Sequence, residues 1–250
     1  MLKFLRRQAA PRARNAPAGR RAYAVGDVHG CLDKLNGLLA QIEADHAARG
    51  PAQGYIVFLG DLVDRGPDSR GVLERLRTYA PDGLTPLFLM GNHEEFFLRV
   101  LDGDTGLVGQ WLTFGGRELA TSYGLSDWWL PSASPEAIVQ ALAAAVPREH
   151  RLFVKDFGDS FRFGDYLMVH AGVRPGIALD AQAPADLRWV REAFLNDQSE
   201  HGVLVVHGHT VVDAPEERPN RIGIDTGAYK GGPLTALGLE GGERWYLSQP

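Results

Sequence analysis

Residues 22–30, Ala22-Tyr-Ala-Val-Gly-Asp-Val-His-Gly30, join a short apolar run to a polar segment. Four apolar residues bounded by glycine are typical of a strand that is buried on both faces. Asp27 and His29 come directly after this run and are two positions apart, so an extended backbone would point both side chains to the same side. The stretch therefore predicts a buried strand that ends in a candidate ion site.

Five more short apolar runs end in the same way, at a glycine or a polar residue. Their length and their boundaries predict further buried strands. Because ligands of α/β folds bind beyond the carboxyl ends of the strands, the polar residues that follow the runs mark the expected site. The runs cover residues 55–59, 86–90, 166–169, 203–206 and 221–224, and they lead into Asp61, Asn92, His170, His209 and Asp225.

Helical periodicity separates several of the predicted strands. Residues 32–48 place apolar side chains on one helical face, and residues 69–79 repeat the pattern. This alternation predicts an α/β fold in which helices flank the sheets. Residues 104–160 lack a strand followed by a ligand and contain a helical stretch near 135–145. We therefore expect one domain at residues 22–250 with a helical insertion at about 104–160.

Charge is unevenly distributed along the 250 residues. Residues 1–21 hold seven basic residues and no acidic one, whereas the rest of the chain has 19 basic and 31 acidic residues. The basic start shows no periodicity and predicts a disordered tail at 1–21. The acidic remainder argues against binding of nucleic acid polymers, and no apolar run is long enough for a membrane span. The lone cysteine, Cys31, fits a reducing compartment, and we expect a cytoplasmic protein.

Six of the strand-end residues form a chemically coherent set of metal ligands. Carboxylate oxygen, amide oxygen and imidazole nitrogen suit Mn²⁺, Fe or Zn²⁺, and no cysteine cluster indicates a structural zinc site. Two carboxylates leave two divalent ions with net positive charge, which favours an anionic substrate. A pair of ions can stabilise both the attacking and the leaving oxygen of a phosphoryl group. The candidate ligands are Asp27, His29, Asp61, Asn92, His170 and His209.

Residues that could carry the chemistry lie beside these ligands. Arg65, in the segment Gly60-Asp-Leu-Val-Asp-Arg-Gly66, could hold phosphate oxygens through two parallel hydrogen bonds. Asp64 could pair with His93, and a carboxylate beside an imidazole raises the pKa of the ring and fixes its tautomer. His93 would then serve as the general acid for the leaving alkoxide.

Five segments together resemble the phosphoprotein phosphatase family of metallophosphoesterases, and most closely its compact bacterial and phage-type serine/threonine phosphatases. They are residues 26–30 (GDVHG), 60–66 (GDLVDRG), 91–94 (GNHE), 170–172 (HAG) and 208–210 (GHT). They occur in the family's order and span nearly the whole chain. The resemblance implies a two-sheet β-sandwich flanked by helices, the calcineurin-like metallophosphoesterase fold.

The resemblance also implies a role for each matching residue. One metal ion would bind Asp27, His29 and Asp61, while the second would share Asp61 and use the other three ligands. His93 with Asp64 would be the acid pair, and Arg65 would bind phosphate together with Asn92 and a second arginine, for which Arg191 matches best. The substrate would be a phosphorylated protein or a small phosphate ester. The ligands of the second ion would be Asp61, Asn92, His170 and His209.

Other functions are compatible with the same residues. A symmetrical dinucleoside tetraphosphate hydrolase resembles this chain, but that branch usually has alanine in place of Asp64 and aspartate in place of Glu94. These two differences favour a serine/threonine phosphatase, with phosphotyrosine as a further substrate. A non-catalytic module that retains its metals would be expected to lack ligands or the acid pair, and the sequence keeps them. Strand alternation would also place His207 on the same side as His209, as a supporting group.

Overall fold

The computed structural model describes residues 14–250, which form two five-stranded mixed sheets. In the first sheet, three parallel strands adjoin an antiparallel pair, in the order β10-β9-β1-β2-β3. The central strand β1 pairs with β2 in parallel and with β9 in antiparallel register. The strands of this sheet are β1 (Arg20–Val25), β2 (Gln53–Phe58), β3 (Leu84–Phe88), β9 (Leu234–Glu240) and β10 (Glu243–Gln249).

The second sheet has three parallel strands at its centre and an antiparallel strand at each edge, in the order β4-β5-β6-β8-β7. Its buried face packs on the first sheet through a shared apolar cluster that contains Ala24, Met168 and Val206. The strands are β4 (Ser160–Phe163), β5 (Tyr166–Val169), β6 (Leu204–His207), β7 (Glu216–Glu217) and β8 (Arg221–Gly223).

Helices cover the outer face of each sheet, so the two-sheet sandwich flanked by helices is confirmed. None of the described helices combines the length and the apolar character that crossing a bilayer would need. The predicted helix at 32–48 has the bounds of α1, whereas the one predicted at 69–79 ends two residues early, at Arg77. The helices are α1 (Leu32–Ala48), α2 (Ser69–Arg77), α3 (Asn92–Leu101), α4 (Val108–Trp111), α5 (Arg117–Ser122), α6 (Pro135–Ala145), α7 (Arg148–Lys155), α8 (Pro184–Trp189) and α9 (Glu192–Leu195).

Residues 104–160 are mostly helical, with α4 to α7 following α3 and preceding β4 along the chain. A π-helical turn at Leu112–Gly116 separates α4 from α5, and Gly115 adopts a left-handed conformation there (φ 111°). The carbonyl oxygen of Gly115 accepts a hydrogen bond from the backbone N–H of Arg65 at 3.0 Å. A Cβ at position 115 would lie 2.5 Å from that nitrogen, so only glycine fits this approach. The helical segment therefore contacts the candidate site directly.

The start of the described chain differs from the predicted tail at 1–21, of which residues 1–13 lie outside the described range. β1 begins at Arg20, and the Arg14 side chain is buried and donates to Glu200 at 2.6 Å. Arg21 is completely buried and donates to both carboxylate oxygens of Glu240, at 2.9 and 3.1 Å. The predicted boundary at residue 21 is therefore too late, because distant acidic residues neutralise charges that looked unpaired in the local sequence.

Arg21 provides a test of this packing. Its guanidinium also donates to the backbone oxygens of His46, Arg49 and Gly50. Substitution Arg21→Met removes all these donors, and we expect the free energy of unfolding to fall by about 2–4 kcal/mol. Urea denaturation measures the change, with Arg20→Met at the exposed neighbouring position as the control. Equal stability of the two variants would contradict the assignment.

Candidate metal centre

All six predicted metal ligands meet where the parallel strands end. Asp27 and His29 follow β1, Asp61 follows β2, and Asn92 begins α3 after β3. On the second sheet, His170 follows β5 and His209 follows β6. Each of the six side chains is buried, with at most 6% of its surface exposed. The fold thus gathers carboxylates, an amide and imidazoles into one enclosed site.

One half of this site surrounds Nε2 of His170. The Nδ1 nitrogen of this ring lies 2.9 Å from the Leu59 carbonyl oxygen and therefore carries the proton, which leaves a lone pair on Nε2. That nitrogen lies 3.0 Å from Asn92 Oδ1, 3.1 Å from His209 Nδ1 and 3.4 Å from Asp61 Oδ1. Lone-pair atoms that face one another so closely suit a shared cation, and their chemistry fits a divalent transition metal.

The other half surrounds Nε2 of His29. Its Nδ1 nitrogen lies 2.8 Å from the Val63 carbonyl oxygen, which fixes the tautomer in the same way. The Nε2 nitrogen faces Asp61 Oδ2 at 3.6 Å and Asp27 Oδ2 at 3.9 Å. Asp61 therefore directs one oxygen toward His170 and the other toward His29, the arrangement expected of a bridging carboxylate. Two groups of three side chains that could hold an ion share Asp61. The first consists of His29, Asp61 and His93, and the second of Asp61, His170 and His209.

Burial and the neighbouring charges shift the pKa values of the side chains in the enclosed site. Burial acts to raise the pKa of Asp61, but the nearby His170 and His93 outweigh it and hold the pKa well below its usual range. Burial raises the pKa of Asp27, and the charges of Asp225 and Asp61 raise it further. Burial lowers the pKa of His209 to about 2, with a contribution from His170. The His209 ring is consequently neutral and can offer a lone pair.

His93 and Asp64, which the sequence suggests as an acid pair, are in contact. His93 Nδ1 lies 2.7 Å from Asp64 Oδ2, and His93 Nε2 lies 3.9 Å from Asp61 Oδ2, on the side of the metal ligands. Burial acts to lower the pKa of His93, but the carboxylates of Asp61 and Asp64 outweigh it and raise the pKa. The indole N–H of Trp111 donates to the other Asp64 oxygen at 3.3 Å. The geometry leaves Nε2 as the atom of His93 that can give a proton to a group in the site.

The two predicted phosphate-binding arginines differ in position. Arg65 donates to His29 Nε2 at 2.8 Å, and its guanidinium lies 4.7 Å from the ring centre of Tyr229. Arg191 is exposed at the start of α9, and its charge contributes, after burial and His170, to lowering the pKa of His209. Arg65 is therefore in direct contact with the ligand cluster, whereas Arg191 acts on it only through its charge.

His207 does not support His209, so the expectation from strand alternation is wrong. Its ring packs edge-on against Phe194, with the ring centres 5.2 Å apart, in the outer layer of the second sheet. His209 has a left-handed backbone (φ 63°), which ends the alternation after β6 and turns the two histidines in different directions.

Three buried residues of the site were not identified as functional from the sequence. Asp225, after β8, could have been recognised from the strand-end position that it shares with the ligands. The carboxylate of Glu94 accepts hydrogen bonds from four backbone N–H groups of the loops after β2 and β3. Trp111 contacts Asp64 from α4, and no local pattern indicates a contact between residues so far apart in the chain.

Comparison with known proteins agrees with this geometry. Residues 20–234 match the family model described as calcineurin-like phosphoesterase. The chain is 30% identical over 228 residues to serine/threonine-protein phosphatase 1 of Salmonella typhimurium (strain LT2), covering 88% of this chain and 93% of that protein. It is 26% identical over 265 residues to the symmetrical bis(5'-nucleosyl)-tetraphosphatase of Dechloromonas aromatica (strain RCB), and the match covers 87% of this chain and 92% of that protein.

The fold also matches a solved structure described as that of a candidate diadenosine tetraphosphatase. The TM-score is 0.61 at 22% identity, and the match covers 96% of each chain. The relatives are hydrolases of phosphate esters or anhydrides, and the family uses a dinuclear metal centre for which this chain has suitable histidine and aspartate clusters. The chain therefore belongs to the calcineurin-like phosphoesterase family and is a metal-dependent phosphoester hydrolase.

Proposed function

We propose that this chain is a two-metal phosphomonoesterase that removes phosphate from phosphoserine and phosphothreonine in proteins, with phosphotyrosine as a further substrate. One ion would bind Asp27, His29 and Asp61, and the other would share Asp61. Oxygen and imidazole donors favour Mn²⁺, with Fe and Zn²⁺ as alternatives. When bound, the ions would supply positive charge and activate a water molecule. The remaining ligands of the second ion would be Asn92, His170 and His209.

The observation that carries the proposal is the His93–Asp64 pair. Serine and threonine leave as alkoxides, which are strong bases and depart only when a proton reaches them. His93 Nε2 faces the ligand cluster, while Nδ1 is held by Asp64 at 2.7 Å. The carboxylate stabilises the protonated ring, so His93 would enter the reaction as an acid. An acid at this position is what hydrolysis of an alkyl phosphate requires.

Phosphate binding would fall to cations beside the ligands. Arg65 is held by the left-handed backbone at Asp64 and Arg65 (φ 69° and 65°) and by its contact with Gly115. Its planar guanidinium can donate two parallel hydrogen bonds to phosphate. Arg191 would bind from the α9 side, and the amide N–H of Asn92 could donate to phosphate while its oxygen faces His170. These groups would orient the phosphorus for attack and exclude bulk water.

Choice of substrate class depends on Asp64 and Glu94. Asp64 completes the acid pair, and Glu94 organises the loop that carries it. The similarity to the Salmonella phosphatase over most of both chains supports the same choice. The second candidate, symmetrical cleavage of dinucleoside tetraphosphates, is supported by the Dechloromonas relative, which matches over a comparable length. We also propose a cytoplasmic location, in keeping with a phosphoprotein substrate.

The first prediction separates acid catalysis from metal binding. We expect His93→Asn to lower kcat on a phosphoserine peptide by about 100-fold or more. The loss on p-nitrophenyl phosphate should be much smaller, because nitrophenolate leaves without a proton. Metal content stays unchanged by elemental analysis, and His201→Asn is the control. Equal losses on both substrates would remove His93 from the acid role.

Trp111 offers a subtler test of the pair. We expect Trp111→Phe, which removes the hydrogen bond to the Asp64 carboxylate while keeping an aromatic ring, to lower kcat on the phosphoserine peptide by about 10-fold or more, since a hydrogen bond to a charged group contributes about 1.5 kcal/mol or more. KM should change little, because the indole N–H donates to Asp64 and not to Arg65, Arg191 or Asn92. Trp128→Phe, at a position 81% exposed, is the control. An unchanged kcat would show that the indole does not position Asp64.

A direct comparison of substrates decides between the two candidate functions. Purified protein with added Mn²⁺ is assayed on a panel of phosphopeptides and on diadenosine tetraphosphate. We expect kcat/KM to be higher for phosphoserine and phosphothreonine peptides. Release of two molecules of ADP with a higher kcat/KM would reverse the choice. The His93→Asn variant serves as the control for contaminating phosphatases.

A further inference from the structure

Asp225 is a buried carboxylate of the metal centre that neither the acid pair nor the proposed ligands use. It follows β8, which is the parallel neighbour of β6 in the second sheet. Five other strands, β1, β2, β3, β5 and β6, deliver a proposed ligand at the same edge. Asp225 thus occupies, on the sixth strand, the position from which the other strands supply their ligands.

One oxygen of this carboxylate is paired and the other is not. Oδ1 accepts a hydrogen bond from the backbone N–H of Gly227 at 3.0 Å, while Oδ2 is shielded from water and has no hydrogen-bond partner within residues 14–250. The residue as a whole is 1% exposed. Burial of a carboxylate oxygen without a partner is strongly unfavourable unless positive charge lies nearby. The unpaired oxygen therefore indicates a cationic partner.

The position of Asp225 identifies that partner. Gly26, the residue before Asp27, packs so closely on β8 that a Cβ there would lie 2.5 Å from the Ile224 oxygen and 3.6 Å from the Asp225 Cα. Asp27 and Asp225 are thereby held next to each other where the two sheets meet. Two adjacent buried carboxylates repel each other, and a cation between them would relieve the repulsion.

We propose that Asp225 is an additional carboxylate of the metal centre, on the side of Asp27 and His29, whose free oxygen strengthens the binding of the ion there. This inference rests on the proposed two-metal function. It changes the charge balance of the site, because Asp27, Asp61 and Asp225 would set three negative charges against the four positive charges of two divalent ions. The remaining positive charge would still attract a phosphate dianion but would hold the released phosphate less strongly.

The test replaces Asp225 with asparagine, which keeps the Oδ1 acceptor for Gly227 and removes the charge. Isothermal titration of the metal-free protein with Mn²⁺ measures the affinity and number of sites. We expect one of the two sites to weaken by about 10- to 100-fold while the other keeps its affinity. Asp225→Ala should weaken the same site. Asp213→Asn, an exposed carboxylate on the neighbouring loop, is the matched control and should bind as the wild type does.

Thermal stability distinguishes a metal-binding role from a structural one. Without metal, Asp225→Asn should have the same Tm as the wild type or a higher one, because it removes repulsion with Asp27. With saturating Mn²⁺, the increase in Tm should be smaller than in the wild type. Unchanged Mn²⁺ affinity, or a variant that fails to fold without metal, would overturn the proposal. A wild-type protein that binds two ions yet hydrolyses no phosphate ester would instead contradict the proposed function and leave this inference standing.

Discussion

The carboxylate of Glu94 determines the shape of the loop on which the site depends. It accepts hydrogen bonds from the backbone N–H groups of Asp61, Leu62, Val63 and Gly91, at distances between 2.7 and 3.3 Å. A loop whose N–H groups converge on one buried acceptor cannot relax without leaving both the acceptor and the donors unpaired. Glu94 therefore joins the ends of β2 and β3 and holds in place Asp61, the proposed bridging carboxylate.

This loop also stores conformational strain. The five non-glycine residues with positive φ within residues 14–250 all belong to the site, and three of them, Asp61, Asp64 and Arg65, lie in this loop. Left-handed backbone costs about 1 kcal/mol or more at each such residue. The hydrogen bonds to Glu94 offset part of that cost, and the contact between Gly115 and Arg65 fixes the end of the loop. The helical segment at 104–160 thus stabilises this loop as well as lying beside it.

The sequence could indicate which residues meet at the candidate site because their signal is local. A polar residue such as Asp61 or His170 directly after an apolar run identifies both the strand and its functional end. The contact between Trp111 and Asp64 joins residues 47 positions apart and depends on how α4 packs, so no local pattern contains it. Likewise, the direction of His207 depended on the left-handed backbone at His209, which alternation alone could not predict. Local chemistry was predictable, whereas long-range packing and backbone strain were not.

Folding and metal binding are coupled in such a site. Buried carboxylates and imidazoles that face one another destabilise the folded chain, since each loses hydration and the acids repel. Bound cations would turn this destabilisation into stabilisation, because the same lone pairs would then act as metal ligands. The three apolar clusters of the sandwich and its helical layers supply stability that offsets these unfavourable terms. Ions bound in this arrangement would leave the proposed acid pair in place, so His93 and Asp64 would keep the geometry that the proposed proton transfer needs.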